Sequence, residues 1–100
     1  MGHRINRKRK ESRPRFVPPA IPAEEWDRVV NHLSISPRQA DVARCLIRAM
    51  SNGEIAAKLR ITSRTVHAHL STMYARLNVA DRMELAILIC LTLRQGGGRN

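Results

Sequence analysis

Aromatic side chains are nearly absent: Phe16, Trp26 and Tyr74 are the only three in 100 residues. Proteins that grip single-stranded nucleic acid stack bases on such rings, and this chain cannot build a stacking platform. Cysteine is equally scarce. Cys45 and Cys90 have no short metal-ligand spacing and fall on expected helices, so both read as reduced small hydrophobes. No run approaches the ~18 apolar residues of a membrane span, and the basic N-terminus lacks the apolar stretch of a signal peptide. The expected location is the cytoplasm, in association with the nucleoid. Catalytic signatures are missing too. There is no glycine-rich loop before a helix, no nucleophile elbow and no carboxylate pair, so an enzyme is not expected and no cofactor is implied.

Acid is in short supply. Eight Asp and Glu stand against 18 Lys and Arg, for a formal charge of +10. The excess is uneven. Arg4, Arg7, Lys8, Arg9, Lys10, Arg13 and Arg15 crowd the first twenty residues with Glu11 alone opposing them. A basic tail on a mildly basic domain points to a polyanion, with nucleic acid ahead of a membrane. Residues 1–22 also carry most of the prolines and little apolar surface, so they are expected to form a disordered basic arm. Such an arm can track phosphates or enter a minor groove, adding affinity without much specificity.

Helix signals fill the remainder. Residues 23–33 fit a short covering helix, with Glu24, Glu25 and Asp27 near its start and Trp26, Val29, Val30 and Leu33 on one face. Capping boxes are expected at Ser36–Gln39, Ser51–Glu54 and Asp81–Glu84, with Pro37 at the first helical position of the first. Thr62 can cap a further helix alone. The expected helices are therefore 37–49, 52–59, 63–77 and 82–94, with 96–100, "GGGRN", as a flexible tail. No segment alternates for long enough to make a strand. The core is expected from Val42, Ala43, Leu46 and Met50, with Cys45 at the margin; from Ile55, Ala56, Leu59 and Ile61; and from Val66, Leu70, Met73 and Leu77. A short helix, a tight turn and a longer helix make a helix-turn-helix pattern.

The stretch "SRTVHAHLSTMYARL" (63–77) is the most informative. At about 100° per residue, Arg64, Ala68, Ser71 and Ala75 lie opposite the apolar stripe, with Thr72 beside them. Small residues let a helix sit deep in a major groove. An arginine can donate twice to a guanine edge, and hydroxyls can reach bases or phosphates. A merely solvated face would carry more Lys and Glu. His67 lies on the flank and suits a phosphate or base contact. His69 lies near the core edge and reads as a packed histidine bonded locally. The two are roughly 200° apart around the helix and cannot share a metal, so no metal is expected.

The elements "SNGEIAAKL", "ITSRTVHAHL", "YARLNV" and "DRMELA", in this order and spacing, resemble the LuxR-type (LuxR/GerE-like) helix-turn-helix domain of bacterial transcription regulators. The resemblance covers residues 34–95. It implies an all-α, four-helix domain, here with an extra N-terminal helix and the basic arm. It makes 52–59 the scaffold helix, 63–77 the recognition helix and the last helix a dimer contact. Carried over by position, it places Thr65, His67, Ala68 and Ser71 at DNA, with Arg76 where a basic residue is usual. Together with Arg64 and Thr72 from the ridge, and Ser51 and Asn52 at the scaffold-helix start, these are the candidate DNA contacts. The last helix is apolar nearly all round, and Leu85, Leu88, Ile89 and Leu91 are the candidate dimer contacts.

Four departures stand out. Gln39 replaces a usual Glu, Ala49 a common helix-ending Gly, Gly53 a polar or basic residue, and His67 a frequent Lys. The family usually joins this domain to a phospho-receiver or ligand-binding domain; the length leaves no room for either, so a stand-alone regulator is expected, with a fragment of a longer regulator as the alternative. Expected partners are double-stranded DNA, a second copy of the chain and RNA polymerase, with no membrane. The alternatives are a basic RNA-binding protein, suggested by "RINRKRKESRPR", a sigma-region-4-like module sharing "EIA" and "TV", or another interaction module. The helix "DRMELAILIC" disfavours the sigma reading, because that module lacks it.

Overall fold

A computed structural model describes residues 20–99, with side chains to residue 95. The expected basic arm lies outside the described residues except for its last positions. Five helices follow in order: α1 (Ala23–Leu33), α2 (Pro37–Ile47), α3 (Asn52–Leu59), α4 (Ser63–Leu77) and α5 (Arg82–Arg99). The architecture is all-α, with no strand among the described residues.

The helix starts are set locally. Ser36 and Ser51 each form the reciprocal capping box with Gln39 and Glu54, satisfying two backbone donors per helix. Thr62 accepts from the Thr65 N–H at 3.1 Å. The third box differs in one bond. Asp81 Oδ1 accepts from the Glu84 N–H at 3.0 Å, but the Glu84 carboxylate reaches one residue further back, to the Ala80 N–H at 2.8 Å. It ties down the loop before the helix rather than the cap residue itself.

Four of the helix ends share a device the sequence hides. Ser34, Ala49, Arg60 and Asn78 all take positive φ, between 54° and 66°, and none is glycine. After each, the next N–H bonds back five residues, as Ile35 to Val30, Met50 to Cys45, Ile61 to Ala56 and Val79 to Tyr74. This is the left-handed closure that most often uses glycine. It ends α2 at Ile47 rather than at the expected 49, because Ala49 turns the chain. A left-handed alanine costs about 1–2 kcal/mol against its own Cβ. Ala49→Gly is therefore expected to stabilise the fold by about 0.5–1 kcal/mol, net of the extra freedom glycine gives the unfolded chain. Thermal unfolding should show a rise of roughly 2–8 °C; a fall would mean that the left-handed alanine carries no such cost.

The core draws on every helix. Val29, Val42, Ile55, Val66, Met73, Leu85 and Ile89 are fully buried, and Trp26, Leu33, Leu46 and Leu70 nearly so. Of the expected core, Met50, Leu59, Ile61 and Leu77 are only partly buried and pack on its edge, as does Val30 of α1. Ile35, Gln39 and Ala40 join it unexpectedly. α1 lies mainly against α5, while α4 packs on α3 and α2. Cys45 is buried, and burial pushes its thiol pKa up, partly countered by Lys58, which keeps it a protonated apolar side chain. Cys90, also a free thiol, is exposed on α5. α5 itself runs to Arg99, past the expected end at 94. Glycine costs about 1 kcal/mol per residue in a helix, and that penalty alone did not stop this one.

Candidate nucleic-acid interface

α4 is held by one face. Val66 and Met73 are fully buried and Leu70 nearly so, and they anchor the helix on α2 and α3. The opposite face is solvent-exposed: Arg64, His67, Ala68, Ser71, Thr72 and Ala75. The polar members of this ridge have no side-chain hydrogen bond or ion pair with any described residue. Side chains free in this way are available to an external ligand. His69 is half-buried beside the core, as its wheel position suggests, but makes no local hydrogen bond among the described residues.

Other candidate contacts are already engaged. The Thr65 hydroxyl lies 3.0 Å from that of Thr62, within the α4 cap. Ser51 spends its hydroxyl on the Glu54 N–H. Asn52 accepts from Arg82 at 2.8 Å. Arg76 donates to the Ser34 carbonyl at 2.8 Å, tying the end of α4 to the α1–α2 turn. A charged donor held by a carbonyl 42 positions away is a tertiary brace first.

Sequence reading missed a basic cluster at the α3–α4 turn. Lys58, Arg60 and Arg64 are all exposed there. Arg38, from the first turn of α2, donates to the Leu59 carbonyl at 3.2 Å and pairs with Asp41 at 3.3 Å, which brings a fourth cation to the same turn. The signal was the spacing of basic residues at 58, 60 and 64; the arrival of Arg38 needed the fold.

The expected dimer contacts need correction. Leu85 and Ile89 are fully buried within their own chain, and Leu88 is half-buried. A side chain packed in its own core cannot also face a partner. Of the four expected residues Leu91 alone is exposed (48%), and it shares the exposed apolar stripe of α5 with Met83 (68%) and Ile87 (51%), with Cys90 and Arg94 on the same side. No helix among the described residues is long and apolar enough to cross a membrane.

A short helix, a turn at Arg60–Thr62 and a longer helix with an unengaged outer ridge, braced by flanking helices, define a helix-turn-helix domain. The family model of the luxR family of bacterial regulatory proteins matches residues 33–89, and the chain belongs to this family, whose members are DNA-binding regulators. It is 38% identical over 64 residues to the putative HTH-type transcriptional regulator Mb0914c of Mycobacterium bovis, covering 64% of this chain and 7% of that protein. It is 39% identical over 56 residues to the putative HTH-type transcriptional regulator YhjB of Escherichia coli, covering 56% and 28%. The two-component response regulator PprB of Pseudomonas aeruginosa is 33% identical over 93 residues, covering 90% and 34%. The chain thus spans no more than about a third of these relatives. No solved structure matches. α1 falls almost wholly outside the family match.

Proposed function

We propose that the chain is a sequence-specific duplex-DNA-binding transcription regulator that lays α4 in the major groove and works as a homodimer. The observation that carries this is the α4 ridge, small and polar, free of internal partners and opposite a fully buried stripe. A helix is about 10–12 Å across with its side chains, and the major groove of B-DNA is about 12 Å wide. Ala68 and Ala75 keep the ridge low. Arg64 can pair with a guanine edge, while His67, Ser71 and Thr72 can donate or accept at bases or phosphates. Lys58, Arg60 and Arg38 flank the helix start and suit backbone phosphates, which fix register without reading sequence. The relatives' names, transcriptional regulators among them, point the same way.

RNA is the weaker reading. Trp26 is buried and Tyr74 half-buried, so the described residues present no stacking surface for unpaired bases. Electrophoresis of the full chain with duplex DNA and with a structured RNA of equal charge tests this. Tighter binding to RNA than to a duplex selected from a random pool would overturn the DNA reading.

The second copy is proposed to dock on the Met83–Ile87–Leu91 stripe of α5, about a two-fold axis. Half-sites about one DNA turn apart would then be preferred. Ile87→Lys places a charge in that contact without touching the core. We expect sedimentation to shift from dimer to monomer on an inverted-repeat duplex, with affinity for the repeat down about tenfold or more, corresponding to about 1.4 kcal/mol. Affinity for a single half-site should not change. Equal loss on both duplexes would place Ile87 outside the dimer contact.

A further inference from the structure

Arg82 opens α5 and reaches back to the start of α3. Its half-buried guanidinium donates from Nη1 to Asn52 Oδ1 at 2.8 Å and from Nη2 to the Met50 carbonyl. The partners are 30 and 32 positions away, so this clamp joins two helices that the sequence keeps apart. A guanidinium only donates hydrogen bonds, so the oxygen of the Asn52 amide must face it. The Asn52 NH2 group is thereby turned to the other side, where no described residue takes it up.

What surrounds that NH2 group suits an incoming phosphate oxygen. The Ser51 N–H and hydroxyl are occupied by the capping box, and the Ile55 N–H by the Ser51 carbonyl. The N–H groups of Asn52 and Gly53, in the first turn, have no intrahelical partner. Gly53 leaves the approach open: a Cβ there would meet only Ser51 Oγ, at 3.9 Å. Glu54 brings an opposing charge to the same turn, with its carboxylate held on the Ser51 N–H. Arg82 and Glu54 line one shallow hollow together, so the guanidinium offsets that charge.

We propose that Arg82 is a positioning residue for DNA binding: it holds the Met50–Asn52 segment and turns the Asn52 NH2 group outward as a donor to a backbone phosphate. Arg82 itself does not touch the DNA. The inference rests on the duplex-binding reading above. It also gives the first turn of α5 two duties, since Met83, next in the chain, begins the stripe proposed for the second copy.

The test compares the full chain with Arg82→Met, Asn52→Ala, their combination and Ala68→Glu. Affinity is measured against salt on a duplex selected from a random pool by the unmodified chain, with thermal unfolding of each variant. Arg82→Met and Asn52→Ala should each weaken binding about 3–10-fold, and the combination should weaken it no further, because both remove the same contact. The log–log salt slope should stay at the unmodified value, because neither change removes a cation from a phosphate. A slope flatter by about 0.9 in Arg82→Met would make Arg82 a direct phosphate contact and overturn the positioning role. Losses that multiply, or unchanged binding by Asn52→Ala, would overturn it too. If Arg82→Met does not fold, Asn52→Ala still decides, since it leaves the Arg82 bond to the Met50 carbonyl in place. Loss of binding in Ala68→Glu with intact binding in the other variants would sink this inference alone. Intact binding in Ala68→Glu would remove the α4 reading and this inference with it.

Discussion

Ala68→Glu is expected to lower affinity for a selected duplex by roughly 100-fold or more while the domain stays folded. Ala68 is exposed at the centre of the free ridge, between Arg64 and Thr72 on successive turns. Glutamate there fills the space that lets the helix approach the groove floor. It also sets a carboxylate among phosphates, and like charges brought together at an interface cost several kcal/mol, with each 1.4 kcal/mol worth a factor of ten. The new carboxylate lies one turn from Arg64 and can pair with it, drawing the guanidinium away from the DNA. The fold has little to lose. Glu is a good helix former, only a few tenths of a kcal/mol behind Ala, and the position touches no core residue. Fluorescence anisotropy on the duplex, beside a thermal melt, checks both halves. Unchanged affinity would remove α4 from the interface, and a collapsed melting temperature would mean that Ala68 serves the fold instead.

Trp26→Ala is expected to cost about 3–5 kcal/mol, the range for emptying a large buried aromatic site. Trp26 is 4% exposed in the core, and the Arg44 guanidinium lies 5.8 Å from its ring centroid while donating to the Ile21 carbonyl at 3.1 Å. Stability of roughly 0.05–0.15 kcal/mol per residue gives a domain this small only several kcal/mol in total. The variant should therefore melt at least about 12 °C lower, or fail to fold at physiological temperature. The size of the effect bears on domain limits. The family match begins at residue 33, and an appended helix would be dispensable. Trp26 and Val29, buried against the same core as Ile89, make α1 part of the fold. A drop of less than about 4 °C would show instead that the helices from Pro37 onward stand without it.

How legible the site was depended on the range of the interaction concerned. The α4 ridge could be read directly, because a helix wheel needs only the period of one segment, and Val66, Leu70 and Met73 are buried where that period puts them. The tertiary bonds of Arg76 and Asn52 could not be read from the sequence. Each is a polar residue at a plausible DNA-facing position, and each is bonded to a group 42 or 30 positions distant. The Arg38 contribution to the basic turn was hidden for the same reason, since its contact crosses from α2 to the end of α3.

The sequence by itself determined where the helices begin, which face of α4 is apolar and which family the chain belongs to. Capping boxes act over three residues and helical faces over three or four, so both are written in adjacent letters. The tertiary structure alone decided which face of α5 is free. With Met83, Leu85, Ile87, Leu88, Ile89 and Leu91 around its circumference, no periodicity could choose between them. The choice came from α1 and the core taking Leu85 and Ile89, which left Met83, Ile87 and Leu91 exposed. It also decided that Ser34, Ala49 and Arg60 turn left-handed. Glycine would have announced those turns in the sequence; here the bonds that close each helix end, and the packing beyond it, hold residues that would not adopt that conformation by preference.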